Sequence, residues 1–151
     1  MKNLLHPADR EALIHRLQGL RPDSQRRWGQ LDARQLLPHL TDPLLVALGD
    51  RTAQPMPSVL SKRPLSTFMV WLAPWPKGAP TAAEFIPGKK GTPPLDFDRD
   101  RQALLLAIHR FAQQSENQSF HPSPVFGRLS NRAWGRLMWR HINHHLRQFG
   151  L

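Results

Sequence analysis

His141 and His145 are the side chains of this chain best suited to chemistry, because histidines four residues apart share one face of a helix. The stretch around them predicts a long final helix. Ser130 can cap its start, Gly150 can adopt the left-handed conformation that ends helices, and no proline lies between them. Two imidazoles one turn apart can reach a single metal ion, as in the H-E-x-x-H motif of zinc proteases.

The face of the final helix that carries both histidines is otherwise largely apolar. It comprises Trp134, Leu137, Met138, His141, His145 and Gln148. We expect this face to point into a core, whereas His144 projects about 100° away from His145. No glutamate lies between His141 and His145, which excludes the zinc-protease motif. From this helix alone, two interpretations stay open: a metal site, or two buried histidines that only make hydrogen bonds.

The composition limits which functions are open to the chain. A length of 151 residues favours a single domain over residues 1–151. The absence of cysteine excludes disulfides, thiolate metal sites and a cysteine nucleophile, so any metal would be held by histidines and carboxylates. The first residues lack the apolar segment of a signal peptide, and no run approaches the about 20 apolar residues of a membrane span. We therefore expect a soluble, cytoplasmic protein with no membrane partner.

The net charge of +10 would suit a nucleic-acid-binding protein. However, the 21 lysines and arginines are scattered along the chain, and aromatic residues do not alternate with them as in a base-stacking surface. The arginine ridge of the final helix, Arg132, Arg136 and Arg140, is typical of a solvated helix face. A nucleic-acid partner is therefore the weakest of the functional alternatives.

Three further segments have the apolar spacing of helices, and no segment reads convincingly as a strand. They run from about residue 8 to 20, from an N-cap at Asp32 to about residue 48 with Gly49 as the stop, and from about residue 98 to 114. His39 lies on or next to the core face of the second segment, and His109, next to the core face of the third, is a weaker ligand candidate. Pro38 and Pro43 lie within the second segment and predict a kink or a split helix.

Residues 51–96 are rich in proline and predict a long crossover between the second and third long helices. A short helix could form within residues 58–72. The large apolar side chains of Phe68, Trp71 and Trp75 indicate that the crossover is ordered and packs through them, although a lid over a site is an alternative. The whole pattern predicts an all-α fold, specifically a four-helix bundle with this crossover.

Several short motifs, spread over about residues 28–150, are similar to those of one known superfamily. They are Trp28-Gly29, Leu36-Leu37-Pro38-His39-Leu40, Pro74-Trp75-Pro76-Lys77-Gly78, His121-Pro122, Phe126-Gly127-Arg128-Leu129, Trp134-Gly135 and His141-Ile142-Asn143-His144-His145-Leu146-Arg147-Gln148. Together they resemble the DinB/YfiT-like metalloenzyme superfamily and, more narrowly, a branch of it without an assigned function. The chain departs from that pattern at Pro38, where a small residue is expected before the histidine.

The resemblance implies a four-helix bundle in which three histidines hold one divalent ion. Carried over residue by residue, these ligands are His39 from the second helix and His141 and His145 from the last. Zn²⁺ or Ni²⁺ suits a set of imidazole ligands. Gln148, His144 and His121 would then lie around the ligands, and Gln148 could hydrogen-bond one of them.

Some members of the superfamily resemble thiol-dependent transferases. The resemblance therefore implies that a metal-activated thiol, supplied by a small-molecule substrate because the chain has no cysteine, attacks an electrophile. Metal-assisted hydrolysis is the second enzymatic hypothesis. A non-catalytic binding or structural protein is the alternative of a different class. The resemblance also makes a homodimer an expectation.

Overall fold

The computed structural model describes residues 1–56, 62, 65–73, 83–114 and 118–151. The helices in these ranges are α1 (Pro7–Gln18), α2 (Ala33–Leu48), α3 (Leu65–Trp71), α4 (Phe97–Gln113) and α5 (Asn131–Gln148). A short 3-10 turn lies at Ala83–Phe85. The described ranges contain isolated β-bridges but no strand. The prediction of an all-α protein is therefore confirmed for this part of the chain.

The ends of α2 and α5 are set by capping residues that the sequence identifies. The Asp32 carboxylate accepts a hydrogen bond from the Gln35 N–H, and the Gln35 side chain accepts one from the Asp32 N–H, which forms a capping box. At the other end of α2, Gly49 has a φ of 86°, a conformation that glycine adopts without steric penalty. The Ser130 hydroxyl accepts from the backbone N–H of Ala133 at the start of α5.

Pro38 and Pro43 lie inside α2 but do not divide it, since the helix is continuous from Ala33 to Leu48. Of the two expectations for this segment, the split helix is therefore wrong, and the kink stays a prediction. Each proline costs the helix a hydrogen bond and about 3 kcal/mol. Most of α2 is buried, however, and the stabilisation that the helix gains by packing against the core is larger than this local cost. His39 thus stands on a continuous helix.

Helix α2 packs against α4 and α5, and α5 also contacts α1 and α3. The main cluster of buried apolar side chains extends from Leu4 to Leu146. Its largest members with almost no exposure include Trp134, Phe111, Leu36, Leu40, Leu44, Leu104 and Ile108. The apolar face predicted for α5 is buried, including both of its histidines. Because α2 and α5 are neighbours, His39 can meet the histidines of α5.

The arginine ridge of α5 is not simply a solvated face, which corrects the expectation from the sequence. Arg140 donates hydrogen bonds to the carbonyls of Met69 and Val70 at 2.7 and 2.8 Å, and also to the carbonyl of Ala73. The carbonyls of Met69 and Val70 belong to the C-terminal end of α3, where helix carbonyls lack intrahelical partners, and Ala73 follows the helix. One guanidinium therefore caps α3 and attaches it to α5.

The crossover contains the short helix that its sequence suggests, but it packs differently from the prediction. Trp71 of α3 packs against the main core and lies under the guanidinium of Arg132, 5.3 Å from its ring centroid. Phe68 is 52% exposed, so the prediction that the crossover packs through it is wrong. Trp75 lies outside the described residues. None of the helices in the described ranges is long and apolar enough to cross a membrane.

Candidate metal centre

Three histidines from two helices converge at one point between α2 and α5. The Nε2 atom of His39 lies 3.1 Å from the Nε2 atom of His141 and 3.1 Å from that of His145. The three rings meet edge to face, with centroids 4.7 to 5.0 Å apart. Each offers a ring nitrogen that could hold a metal ion, and these atoms all lie within 4.8 Å of one another.

The three rings are held deep in the protein. His39 is 3% exposed, and His141 and His145 are each 9% exposed. His141 and His145 share a face because they are one turn apart on α5, and His39 faces them from α2. Among the described residues, no other group of three or more potential ligand side chains converges in this way.

The tautomer of His39 is set by a backbone carbonyl. His39 Nδ1 lies 2.7 Å from the carbonyl oxygen of Phe85, in the 3-10 turn. A carbonyl can only accept, so Nδ1 carries the proton and donates it. The neutral ring therefore presents an unprotonated Nε2 to the other two histidines. A ligand histidine that donates its other nitrogen to a carbonyl is a recurrent feature of metal sites.

The tautomer of His145 is set in the same way by Gln148, one turn further along α5. His145 Nδ1 donates to Gln148 Oε1 at 2.8 Å, so its Nε2 is also unprotonated when the ring is neutral. The backbone carbonyl of Gln148 accepts from the N–H of Arg27 at 2.6 Å. The Gln148 amide also lies against Gly29, where an added Cβ atom would be 2.7 Å from its Nε2. The chain before α2 thus holds Gln148 in place.

The inward-facing nitrogens of His39 and His145 therefore present two lone pairs to each other across 3.1 Å. Two lone pairs at this separation repel unless a proton or a metal cation lies between them. Burial disfavours the proton. It lowers the pKa of His145 to about 3 and, together with the charge on neighbouring histidines, holds the pKa of His141 well below its usual value. The three ring nitrogens could instead share a metal ion.

The pKa of His39 is also lowered by burial, an effect that its hydrogen bond to Phe85 and the charge of Asp42 partly oppose. All three rings are accordingly neutral near pH 7, the state in which imidazole binds metals. The distances between the ring nitrogens also fit those around a metal ion. Nitrogen ligands about 2.0–2.1 Å from a tetrahedral zinc ion lie about 3.3 Å from one another. The 3.1 Å separations at His39 are close to that value.

His144 lies beside the cluster and not within it. Its ring makes edge-to-face contacts with His145, at 5.2 Å, and with Trp28, at 4.8 Å. Half-burial, followed by the positive charge of Arg147, lowers its pKa to about 4. The sequence places His144 next to the site, and the structure shows it packed against a candidate ligand.

His121 is not brought to the cluster. It is an exposed residue whose ring lies against Gly49, where an added Cβ atom would clash with its Nε2. Gly49 is ten residues beyond His39 on α2, about 15 Å along the helix at about 1.5 Å per residue. The backbone N–H of His121 donates to the carbonyl of Ala47, and its carbonyl accepts from the Trp134 indole. His121 thus connects α2 and α5 at the far end.

Two features of the site were not predicted from the sequence. The Phe85 carbonyl is a backbone group, which any residue type could supply. Asp42, fully buried one turn beyond His39, could have been noticed because it is a carboxylate within the apolar run of the second predicted helix.

Comparison with known proteins identifies a family for this chain. Residues 1–150 match the family model described as Protein of unknown function (DUF1569). No curated protein and no solved structure matches the chain. Because the family model covers nearly the whole sequence, the chain belongs to the family of proteins of unknown function DUF1569.

Proposed function

We propose that the protein binds one divalent metal ion through His39, His141 and His145, and that Zn²⁺ or Ni²⁺ is the ion it takes. The observation that carries the proposal is the pair of unprotonated Nε2 atoms of His39 and His145, 3.1 Å apart. The third imidazole, His141, adds a donor at the same distance from His39. Imidazole ligands suit both ions, and the order of intrinsic affinities does not choose between them.

The resemblance to the DinB/YfiT-like superfamily supports the same ligand set, since it points to the same three histidines. It also supports a four-helix bundle formed by α1, α2, α4 and α5, with α3 in the crossover. The contacts of α2 with α4 and α5, and of α1 with α5, are compatible with that arrangement. Ligands projecting inward from facing helices are typical of metal sites in bundles.

We propose further that the site is that of a metal-dependent thiol transferase or hydrolase acting on a small molecule. A divalent ion held by three imidazoles supplies Lewis acidity and lowers the pKa of a thiol or water that binds beside it. The chain's own part is to keep the three rings neutral by burial and to fix two of them through Phe85 and Gln148. The chain has no cysteine, so the thiol comes from the substrate.

Metal content of untagged protein is the direct test of binding. We expect about one ion per chain in the wild type, and loss of the ion in His39→Ala and in His145→Ala. His109→Ala is the matched control, because His109 is an exposed histidine on α4 and its removal should leave the metal in place. Folded His39→Ala and His145→Ala proteins that keep the wild-type metal content would overturn the proposal.

The reaction class is tested separately with metal-loaded protein. Panels of low-molecular-weight thiols and electrophiles should give turnover that disappears in His141→Ala. Hydrolysis without any added thiol would support the hydrolase instead. If metal-loaded protein turns over neither class of substrate, the non-catalytic alternative replaces the enzymatic one, with the ion as a structural element.

A further inference from the structure

We propose that Asp42, acting through Thr92, is a positioning residue that fixes the carbonyl to which His39 donates. The inference rests on the proposed metal function and deepens it, because it extends the site to residues that touch no ligand nitrogen. It links a buried carboxylate on α2 to the orientation of a ring one turn earlier on the same helix.

Asp42 has no measurable exposure, and both of its carboxylate oxygens are engaged. Oδ2 accepts from the backbone N–H of Thr92 at 2.9 Å, and Oδ1 accepts from the Thr92 hydroxyl at 2.6 Å. Arg51 Nη1 lies 3.3 Å from Oδ1. A buried carboxylate is costly unless it is paired and hydrogen-bonded, so Asp42 and Thr92 are strongly held to each other.

Arg51 fastens the same segment from its other side. Its Nη1 donates to the Thr92 hydroxyl at 2.8 Å, and its Nη2 donates to the Lys90 carbonyl at 2.5 Å. Charged hydrogen bonds of this kind are stronger than neutral ones. The segment 90–92 is thereby attached to α2 by a carboxylate and to the chain after α2 by a guanidinium.

A compact turn carries this attachment back to Phe85. The N–H groups of Lys89 and Gly91 both donate to the Ile86 carbonyl, at 3.0 and 3.1 Å. A Cβ atom at Gly91 would lie 2.8 Å from the carbonyl carbon and oxygen of Ile86, so the two backbones are in close contact. Ile86 directly follows Phe85, whose carbonyl accepts from His39 Nδ1 at 2.7 Å. The loop thus contacts α2 at two points, at His39 through Phe85 and at Asp42 through Thr92.

The Phe85 ring provides a second attachment of the loop, which any test must separate from the first. The ring is 9% exposed and packs with Val46, with Ala53 and Met56 beside it. If this packing alone held the Phe85 carbonyl, loss of the Thr92 hydroxyl would leave the His39 ring unchanged. If the Asp42 network holds it, the same loss will loosen the ring.

The experiment compares Thr92→Val with Thr92→Ser. Valine keeps the backbone N–H and the volume of the side chain but removes the hydroxyl, whereas serine keeps the hydroxyl and serves as the conservative variant. Thr92 is only partly buried, so neither change places a large cavity in the core. Asp42→Asn is a third variant that removes the charge. Circular dichroism verifies that each protein is folded.

Two readouts are taken from each variant. The first is Zn²⁺ affinity, by competition with a chromophoric chelator. The second is the NMR signal of the His39 Nδ1 proton in metal-free protein, whose chemical shift and exchange rate report the hydrogen bond to Phe85. We expect Thr92→Val and Asp42→Asn to lose about tenfold or more in affinity, as for other residues that orient a ligand. Their ring proton should exchange faster, and Thr92→Ser should resemble the wild type in both.

Wild-type affinity together with an unchanged ring proton in Thr92→Val would overturn the positioning role while leaving the metal site intact. If the wild type binds no Zn²⁺ or Ni²⁺, the proposed function fails, and the exchange rate of the His39 Nδ1 proton alone tests the positioning role. Faster exchange in Thr92→Val and not in Thr92→Ser would still support the role of Asp42 and Thr92. Equal exchange rates in the wild type and all variants would show that Asp42 and Thr92 do not position the His39 ring.

Discussion

The Nε2 atoms of His39 and His145 face each other across 3.1 Å, although the two residues are 106 positions apart in the chain. On the outer side of each ring an acceptor engages Nδ1: the Phe85 carbonyl for His39 and the Gln148 amide oxygen for His145. The single proton of each neutral ring therefore points outward, and the lone pairs point toward each other. The repulsion between them is relieved when a cation binds, so the two acceptors should matter more for metal affinity than for folding.

Replacing Gln148 should weaken metal binding. Gln148→Ala removes the acceptor that orients His145, and we expect about a tenfold loss of Zn²⁺ affinity, because such partners typically contribute 10- to about 100-fold. Gln148→Glu retains an acceptor and should keep the affinity near that of the wild type. Competition titrations with a chelator measure both. Gln102→Ala on the exposed side of α4 is the matched control, and equal affinities of Gln148→Ala and the control would contradict this prediction.

The metal-free protein should lose stability as the pH falls below about 6.5. In the unfolded chain a histidine takes up its proton near that pH, whereas burial keeps the folded pKa of His145 at about 3 and lowers those of His39 and His141. Below pH 6.5 the unfolded state therefore binds more protons. The free energy of unfolding then falls by up to about 1.4 kcal/mol per pH unit for each such histidine, until the pH reaches its folded pKa.

Urea unfolding in the presence of a chelator at pH 7.5, 6.0 and 5.0 measures this dependence. The pKa of the Asp9 carboxyl is held below its usual value, first by its hydrogen bond to Lys2, so that carboxyl titrates below this range. His145→Gln removes one of the buried imidazoles and should flatten the curve, whereas His109→Gln, at an exposed position, should not. A stability that stays constant from pH 7.5 to 5.0 in the wild type would be inconsistent with three neutral buried histidines.

Gly29→Ala should reduce both stability and metal affinity. Gly29 has a φ of +89°, and an alanine there costs about 1–2 kcal/mol in the left-handed region. Its Cβ atom would also lie 2.7 Å from Gln148 Nε2 and displace the amide that orients His145. Gly127→Ala is the control, because Gly127 also has a positive φ, of +68°, but its backbone pairs with Ser123 and not with the segments that orient His39 and His145. Thermal unfolding should show a loss of stability in both variants, whereas Zn²⁺ titration should show a loss of affinity only in Gly29→Ala.

Arg140→Ala should release α3 from α5. The substitution removes the donor to the carbonyls of Met69 and Val70, and a buried polar group left without a partner costs about 1–3 kcal/mol. We expect faster amide hydrogen exchange across residues 65–73, with little change in α2. Arg128→Ala, an exposed arginine just before α5, should leave the exchange of α3 unchanged. Equal protection of α3 in both variants would show that Arg140 is not what attaches it.

The sequence by itself determined the features that depend on short range. Asp32, Gly49 and Ser130 mark the helix ends, because capping involves residues within one turn of each other. His141 and His145 were placed on one buried face because the helical period alone decides which residues share a face. The sequence did not determine that α2 would continue through Pro38 and Pro43, because packing against other helices offsets the local cost.

Only the tertiary structure decided how the site is completed. The residue pattern alone did not identify the third ligand, and the choice of His39 came from the resemblance. Its Nε2 atom lies 3.1 Å from those of both histidines of α5 because of the way α2 and α5 pack. Its partner, the Phe85 carbonyl, is 46 residues away and carries no mark in the sequence, since every residue has a carbonyl. The arginines of α5 likewise had the spacing of a solvated face, and only the position of α3 shows that Arg140 caps it. Contacts between distant segments are set by packing of the whole chain, which local periodicity does not encode.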